Sequence, residues 1–228
     1  MPAAERREAL IDCAQSLFFS KGYEATTIAD IIARAEVSKG GFYHHFSAKE
    51  DLLEAVVARM TAAIIEQSRD VLANPALDAL ERLNRFLHRT SDWKVENARR
   101  LAALSRALLA QENTLLFQRI LAAVTQTIQP LLLSIVKEGV EEGVFDVADP
   151  DLAAEVLVSL SHARREVIHD AIVMAEAGDV ASGVRRIETR MKAETATIER
   201  LLGVASGSLV LVPKGAVRKM LAALAAAR

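Results

Sequence analysis

The chain has 228 residues with 28 Lys and Arg against 30 Asp and Glu, a formal net charge of -2 that excludes the strongly basic balance of a general nucleic-acid binder. Hydrophobic residues make up 51% but aromatics only 4%, a composition that favours helices. The single Cys13 excludes an internal disulfide, and the N-terminus MPAAERREAL carries charges where a signal peptide needs an apolar stretch, so the cytoplasm is the expected compartment.

Taken in chain order, Leu10, Ile11, Ala14, Leu17 and Phe18 recur at helical spacing and Gly22 supplies a stop. Thr27 followed by Asp30 reads as a capping box, opening a short second helix with Ile28, Ile31 and Ile32 on one face and its end near Ala35. Ser38 caps a third helix over 39–45. Ser47 and Glu50 form an S-x-x-E box for a fourth, which the pattern Leu52, Leu53, Val56, Val57, Met60, Ile64, Ile65 carries to about Leu72, where Asn74-Pro75 breaks it. Further helices are expected over 75–89, 93–109 and 113–142, the last kinked or divided at Pro130. Its apolar part, 120–136, is interrupted by Thr125, Gln126, Thr127, Gln129 and Pro130 and is shorter than the ~20 residues of a membrane span, so no membrane segment is expected. Asp149-Pro150 opens a helix to about Ala177, another runs over 184–202, and an Ala-rich helix follows Pro213. No strand pair is evident, so the expected fold class is all-α.

Only Glu36 and Val37 separate the second and third helices, which suits a helix-turn-helix. An α-helix fits the DNA major groove with its N-terminal residues nearest the base edges, here Ser38, Lys39, Gly40 and Gly41. Two glycines inside a helix cost about 1 kcal/mol each relative to Ala, and close approach of the helix to DNA is a reason to keep them. Tyr43, His44 and His45 lie between Phe42 and Phe46, which belong to the core, and can donate to phosphates or bases. Thr27 and Lys49 add donors at helix N-termini, where anions are already favoured. Between Arg34 and Lys49 three Lys or Arg face one acid, Glu36, so the local sign is positive although the whole chain is acidic.

The string TTIADIIARAEVSKGGFYHHFSAKEDLL from Thr26 to Leu53 closely resembles the DNA-binding region of the TetR/AcrR family. It has the paired threonines, the V-S-K-G opening of the recognition helix, the F-Y-x-H-F close and the S-x-K-E-x-L entry to the fourth helix. The resemblance implies an N-terminal three-helix helix-turn-helix domain over 1–50, a larger helical effector-binding and dimerisation domain over 51–203, and a C-terminal extension over 204–228. It implies a homodimer on a palindromic double-stranded operator, acting as a repressor that a small-molecule effector releases, with no cofactor. The DNA-binding residues it points to are Thr27, Ser38, Lys39, Gly40, Gly41, Tyr43, His44, His45 and Lys49; the family usually carries Thr or another side chain where Gly41 stands.

For the effector pocket the candidates are Met60, Phe86, Trp93 and Phe117 as apolar lining, with His162 and Arg165 to orient a polar group. For the dimer interface they are Val184, Met191 and Ile198, seven apart, with Ile187 and Leu201 on the adjoining row. Two rival readings are weaker. A helical-bundle metal enzyme would use Glu166 and His169 as an E-x-x-H pair, but no second such motif occurs, so neither catalytic nor metal residues are expected. A helical binding protein without DNA recognition would not need Lys39, Tyr43 and Lys49. In the tail, Lys214, Arg218, Lys219 and Arg228 meet no acid, while Val217, Met220, Leu221 and Leu224 share a helical face that is expected to dock on the protein's own body.

Overall fold

Local capping chemistry decides where most helices begin. The computed structural model describes residues 2–109 and 113–226, and every regular element among them is helical. They are α1 (Ala3–Ser20), α2 (Ile28–Ala35), α3 (Lys39–His45), α4 (Lys49–Gln67), α5 (Arg69–Leu72), α6 (Ala79–Glu96), α7 (Ala98–Leu109), α8 (Thr114–Glu141), α9 (Pro150–His162), α10 (Arg165–Glu176), α11 (Val180–Leu202) and α12 (Ala216–Ala226).

Several boundaries depart from the sequence expectation, each for a local reason. Asp78 and Glu81 form a reciprocal capping box, so α6 starts at Ala79 and runs past the expected break near residue 90. The S-x-x-E box at Ser47 is replaced: Asp51, not Glu50, accepts from the N–H groups of Ser47 at 2.7 Å and Ala48 at 3.1 Å. The fourth helix divides at Ser68, whose hydroxyl donates back to the Ile64 carbonyl at 2.9 Å and competes with the helical ladder. Asp179 accepts from Ser182 N at 3.0 Å, which opens α11 four residues earlier than expected. Pro130 lies inside α8 without dividing it.

The chain folds as two compact units. The first takes residues 1–61 and 100–124. Leu10, Ile11, Ala14 and Phe18 of α1 bury against Ile31, Phe42, Leu52, Leu53 and Val56, with Leu104, Leu116 and Ile120 joining from α7 and α8. The unit therefore reaches beyond residue 50, because the first turns of α4 bury their apolar face here. Each large apolar side chain so enclosed contributes about 1.5–3 kcal/mol. Arg119 on α8 donates to Asp51 at 2.6 Å and pairs with Glu54, while Arg59 donates to Asp12 at 2.6 Å and to Gln15, so α4 is tied to both α8 and α1.

The second unit takes residues 62–99 and 125–228. Its core joins Leu83, Ile135, Val136, Phe145, Ala154, Ile198 and Leu202. Helices α10 and α11 pack closely: a Cβ on Gly183 would lie 2.6 Å from the Ala171 carbonyl oxygen, so only glycine permits the approach. Arg82, almost fully buried, donates to the Leu77 carbonyl at 2.6 Å and pairs with Glu138 and Glu142. Helix α8 is long and apolar enough to cross a membrane by length and composition alone, longer than the stretch read from the sequence because helix continues on both sides of it. Its Leu132, Ile135 and Val136 bury in this unit's core.

The C-terminal extension belongs to the same unit. Glu199 is buried and accepts from Gly207 N at 2.8 Å and Leu209 N at 3.1 Å, while Asn84 bonds both Ser208 O and Val210 N. These bonds carry the chain into α12, which packs on α6, α10 and α11 and buries Ala216, Val217, Leu221 and Leu224. Of the four basic residues in the tail, Arg228 lies outside the described residues. Leu221→Ala is expected to lower stability by about 2–5 kcal/mol, the range for a fully buried leucine, in urea unfolding of the whole chain. A loss below about 1 kcal/mol would show that α12 is not a working part of the core.

Candidate nucleic-acid interface

The turn between α2 and α3 is built from caps. Thr27 Oγ1 accepts from Asp30 N at 3.1 Å and Asp30 Oδ2 accepts from Thr27 N at 2.8 Å, completing the predicted box. Lys21 Nζ also donates to Asp30 at 2.6 Å; that bond, then those to Thr27, lowers the Asp30 pKa to about 2. Helix α2 stops at Glu36, which adopts the left-handed conformation at φ 52° and ψ 38° while its N–H and that of Val37 both reach the Ile32 carbonyl. Ser38 Oγ then accepts from Gly41 N at 3.0 Å and starts α3.

Phe42 and Phe46 are buried and orient α3, which leaves Lys39, Gly40, Tyr43 and His44 exposed. Residues 39, 40, 43 and 44 share one helical face by their spacing. The Tyr43 ring stands edge-on to Phe42 with centroids 5.1 Å apart, and the residue keeps 49% of its surface. Thr27 and Ser38 are exposed and use their hydroxyl oxygens as cap acceptors, so each O–H remains able to donate outward.

The two glycines differ. A Cβ on Gly40 would meet nothing within 4 Å, so nothing in the protein requires glycine there and the space faces outward. A Cβ on Gly41 would come within 3.3 Å of Ser38 Oγ and of Val37 Cγ1, so its smallness has an intramolecular reason as well.

Lys49 is placed differently from its sequence assignment. Its ammonium donates to the carbonyls of Tyr23 at 2.9 Å and Thr26 at 3.1 Å and sits 4.1 Å from the Tyr23 ring centroid. Two of its three donors thus hold the segment between α1 and α2, leaving one for a phosphate. The sequence reading also missed Arg6 and Arg7. Their charges act on His45, whose pKa is lowered first by desolvation and then by His44, Arg6 and Arg7. The Arg7 guanidinium lies 5.5 Å from the Phe46 ring centroid. Arg6 and Arg7 of α1 therefore lie beside the C-terminal end of α3, Arg7 also pairing with its neighbour Glu8 at 3.1 Å; in sequence they stand more than 30 residues away, between Glu5 and Glu8.

The candidate effector residues are not gathered in one unit. Met60 packs on the core of the first unit and Phe117 is half-buried there. Phe86, Trp93, His162 and Arg165 belong to the second; Phe86 is buried, while the other three are half-buried. Of the seam proposed for dimerisation, Val184, Ile187 and Ile198 are buried within their own unit and are not available to a partner; Met191 and Leu201 are half-buried. A seven-residue apolar period marks a buried face without saying what buries it.

The family model for bacterial regulatory proteins of the tetR family matches residues 10–56, and that for the tetracyclin repressor-like C-terminal domain matches 98–172. The chain is 25% identical over 157 residues to the uncharacterized HTH-type transcriptional regulator YhgD of Bacillus subtilis, covering 68% of this chain and 80% of that protein. It is also 25% identical over 162 residues to the HTH-type transcriptional repressor KstR2 of Mycobacterium tuberculosis, covering 67% and 74%. Among solved structures, RolR without ligand has a TM-score of 0.63 at 20% identity, with 94% and 95% of the two chains covered, and RolR with resorcinol has 0.57.

Lys39→Ala and Tyr43→Phe are expected to weaken operator binding in fluorescence anisotropy while leaving the melting temperature unchanged. Lys49→Met should instead cost about 2 kcal/mol of stability, the scale of charged hydrogen bonds lost from a partly buried site. If Lys39→Ala and Tyr43→Phe both bind as the parent does, α3 is not the reading helix. Glu36→Gly, which removes a side chain from a left-handed position, should raise stability by about 1 kcal/mol in the same melts; a fall in melting temperature would contradict the strain.

Proposed function

The chain belongs to the TetR family of bacterial regulatory proteins, DNA-binding transcription regulators rather than enzymes, and from that premise we propose that it is a homodimeric repressor. It lies in the bacterial cytoplasm on a palindromic operator and leaves it when a small molecule binds the larger unit. The observation that carries this reading is the exposed strip Lys39, Gly40, Tyr43 and His44 on a helix whose opposite side is locked into the core by Phe42 and Phe46. A seven-residue helix so anchored presents donors and an unfilled backbone surface to a groove about 12 Å wide without first having to order itself. Thr27, Ser38, Arg6 and Arg7 supply flanking phosphate contacts, which fix register rather than sequence. Two copies related by a two-fold axis would read two half-sites about 34–36 Å or a multiple of that apart, hence the palindrome.

Effector control follows from differential binding: a ligand that favours one conformation of the larger unit shifts the population of the DNA-competent state. RolR with resorcinol is a precedent among the matched structures for a small molecule in this architecture. For the dimer, α9, α10 and α11 are retained as the interface helices, with a different set of residues. Leu152 at 54% and Val173 at 51% exposure are large apolar side chains on α9 and α10 that the protomer leaves uncovered.

Selection of genomic fragments by the purified protein, read for an inverted repeat, tests the function. Enrichment of a palindrome is expected; absence of any enriched sequence would overturn the regulator reading. Val173→Asp is expected to yield folded monomer in sedimentation at micromolar concentration, because an exposed site tolerates the charge in the monomer and an apolar interface does not. A variant that stays dimeric would place the interface elsewhere.

A further inference from the structure

Only Phe46, Ser47 and Ala48 join the reading helix α3 to α4. The direction of α3 within the first unit therefore depends on how those residues are held. Phe46 is held by its buried ring and by its N–H, which donates to the Phe42 carbonyl at 3.0 Å. Ser47 and Ala48 stand at the start of α4, where backbone N–H groups have no partner inside the helix. Both donate to one atom, Oδ2 of Asp51, at 2.7 and 3.1 Å.

The other oxygen of that carboxylate is engaged from α8. Arg119 Nη2 donates to Asp51 Oδ1 at 2.6 Å, and Arg119 also pairs through its Nε with Glu54, one turn further along α4. One planar guanidinium thus spans two carboxylates of the same helix, a geometry that a compact ammonium does not reproduce. Arg119 is itself well placed, because Leu116 and Ile120, three residues before it and one after, bury in the core of the first unit. Burial alone would raise the Asp51 pKa; the bond from Arg119, then those from Ser47 and Ala48, outweigh it and hold the carboxyl below its ordinary value. Asp51 is ionised near neutral pH, with one oxygen on α8 and the other on the junction.

The contribution of this arrangement to stability is small, since the Arg119 side chain is 44% exposed and an ion pair so open to water is screened. Its geometric consequence is larger. With Oδ1 held by Arg119, the carboxylate keeps the orientation that brings Oδ2 to both amides.

We propose that Arg119 is a positioning residue for operator binding: through Asp51 it sets the α3–α4 junction, and so the angle at which Lys39, Gly40, Tyr43 and His44 meet the groove. The proposal rests on the reading of α3 as the DNA-contacting helix and adds to it a residue 68 positions beyond Asp51 in sequence. Operator affinity then depends on a side chain that lies outside the helix-turn-helix.

The test uses the full-length protein and the operator it selects. Arg119→Met is expected to weaken operator binding at least about fivefold, the low end of ordinary coupling between sites, while lowering the melting temperature by less than about 4 °C. Arg119→Lys, which keeps the charge and loses the fork, should recover part of that affinity. In an Asp51→Ala background Arg119→Met should cost no further affinity, because the contact it acts through is gone; Asp51→Asn is the second variant should Ala disturb folding. Amide hydrogen exchange at Ser47 and Ala48 should quicken in Arg119→Met. Arg59→Met, which removes the pairing of α4 with Asp12 of α1, controls for general loosening of the same unit and should leave operator affinity near the parent's. Parent-like affinity in Arg119→Met, an equal loss in Arg59→Met, no recovery in Arg119→Lys, unchanged exchange at both amides, or losses that add in the double variant would each overturn the proposal. A parent protein that selects no DNA would instead remove the regulator reading, and exchange at Ser47 and Ala48 would still decide whether Arg119 holds the junction.

Discussion

The burial of Phe42 and Phe46 is the constraint on which the DNA-facing surface depends. A helix of seven residues has too few internal hydrogen bonds to persist alone in water, since nucleation is unfavourable and isolated helices shorter than about 12–15 residues are marginal. Helix α3 exists because its two phenylalanines sit in a core already made by Leu10, Ile11, Phe18, Ile31, Leu52 and Leu53. That core also orients it, because residues 39, 40, 43 and 44 project outward only while 42 and 46 project inward. Function and stability are therefore coupled at this helix. A substitution that loosens the Phe42 site would disperse the exposed strip even though it touched none of the strip's residues.

Polar bonds between distant parts of the chain then hold the frame. Lys49 closes the α1–α2 segment from 23 and 26 residues away, and Asp51 and Glu54, immediately after the reading helix, are held by Arg119 of α8. Bonds of this kind are insensitive to the order of the neighbouring sequence, which is why sequence pattern did not reveal them. The N-terminal half of α4 is thereby a structural continuation of the helix-turn-helix rather than a linker beyond it.

What could be read in advance follows the same division between local and distant. The caps at Thr27, Ser38 and Asp149 and the two-residue turn at Glu36 and Val37 act over three or four residues, so their chemistry is visible in the string itself. Asp78 with Glu81 carried an equally local signal that the reading passed over. The division at Ser68 depends on one hydroxyl choosing a carbonyl, and nothing in the apolar pattern marks it. For the candidate site, Lys39, Gly40, Tyr43 and His44 were legible because they alternate with buried Phe42 and Phe46. The carbonyl contacts of Lys49 and the place of Arg6 beside His45 were not, since whether a basic residue faces carbonyls or another helix depends on residues far from it in the chain. The apolar seam of α11 failed for a related reason: periodicity identifies the face of Ile187 and Ile198 as buried but cannot distinguish a neighbour in the same chain from one in another.

An acidic chain with a DNA-facing surface raises no conflict once charge is considered by place. At the physiological Debye length of about 8 Å, an operator responds to the charges near it, which on this surface are Arg6, Arg7 and Lys39 rather than the net -2 of the chain. Arg7 and Lys39 are exposed, so their attraction to phosphates is salt-dependent through counterion release.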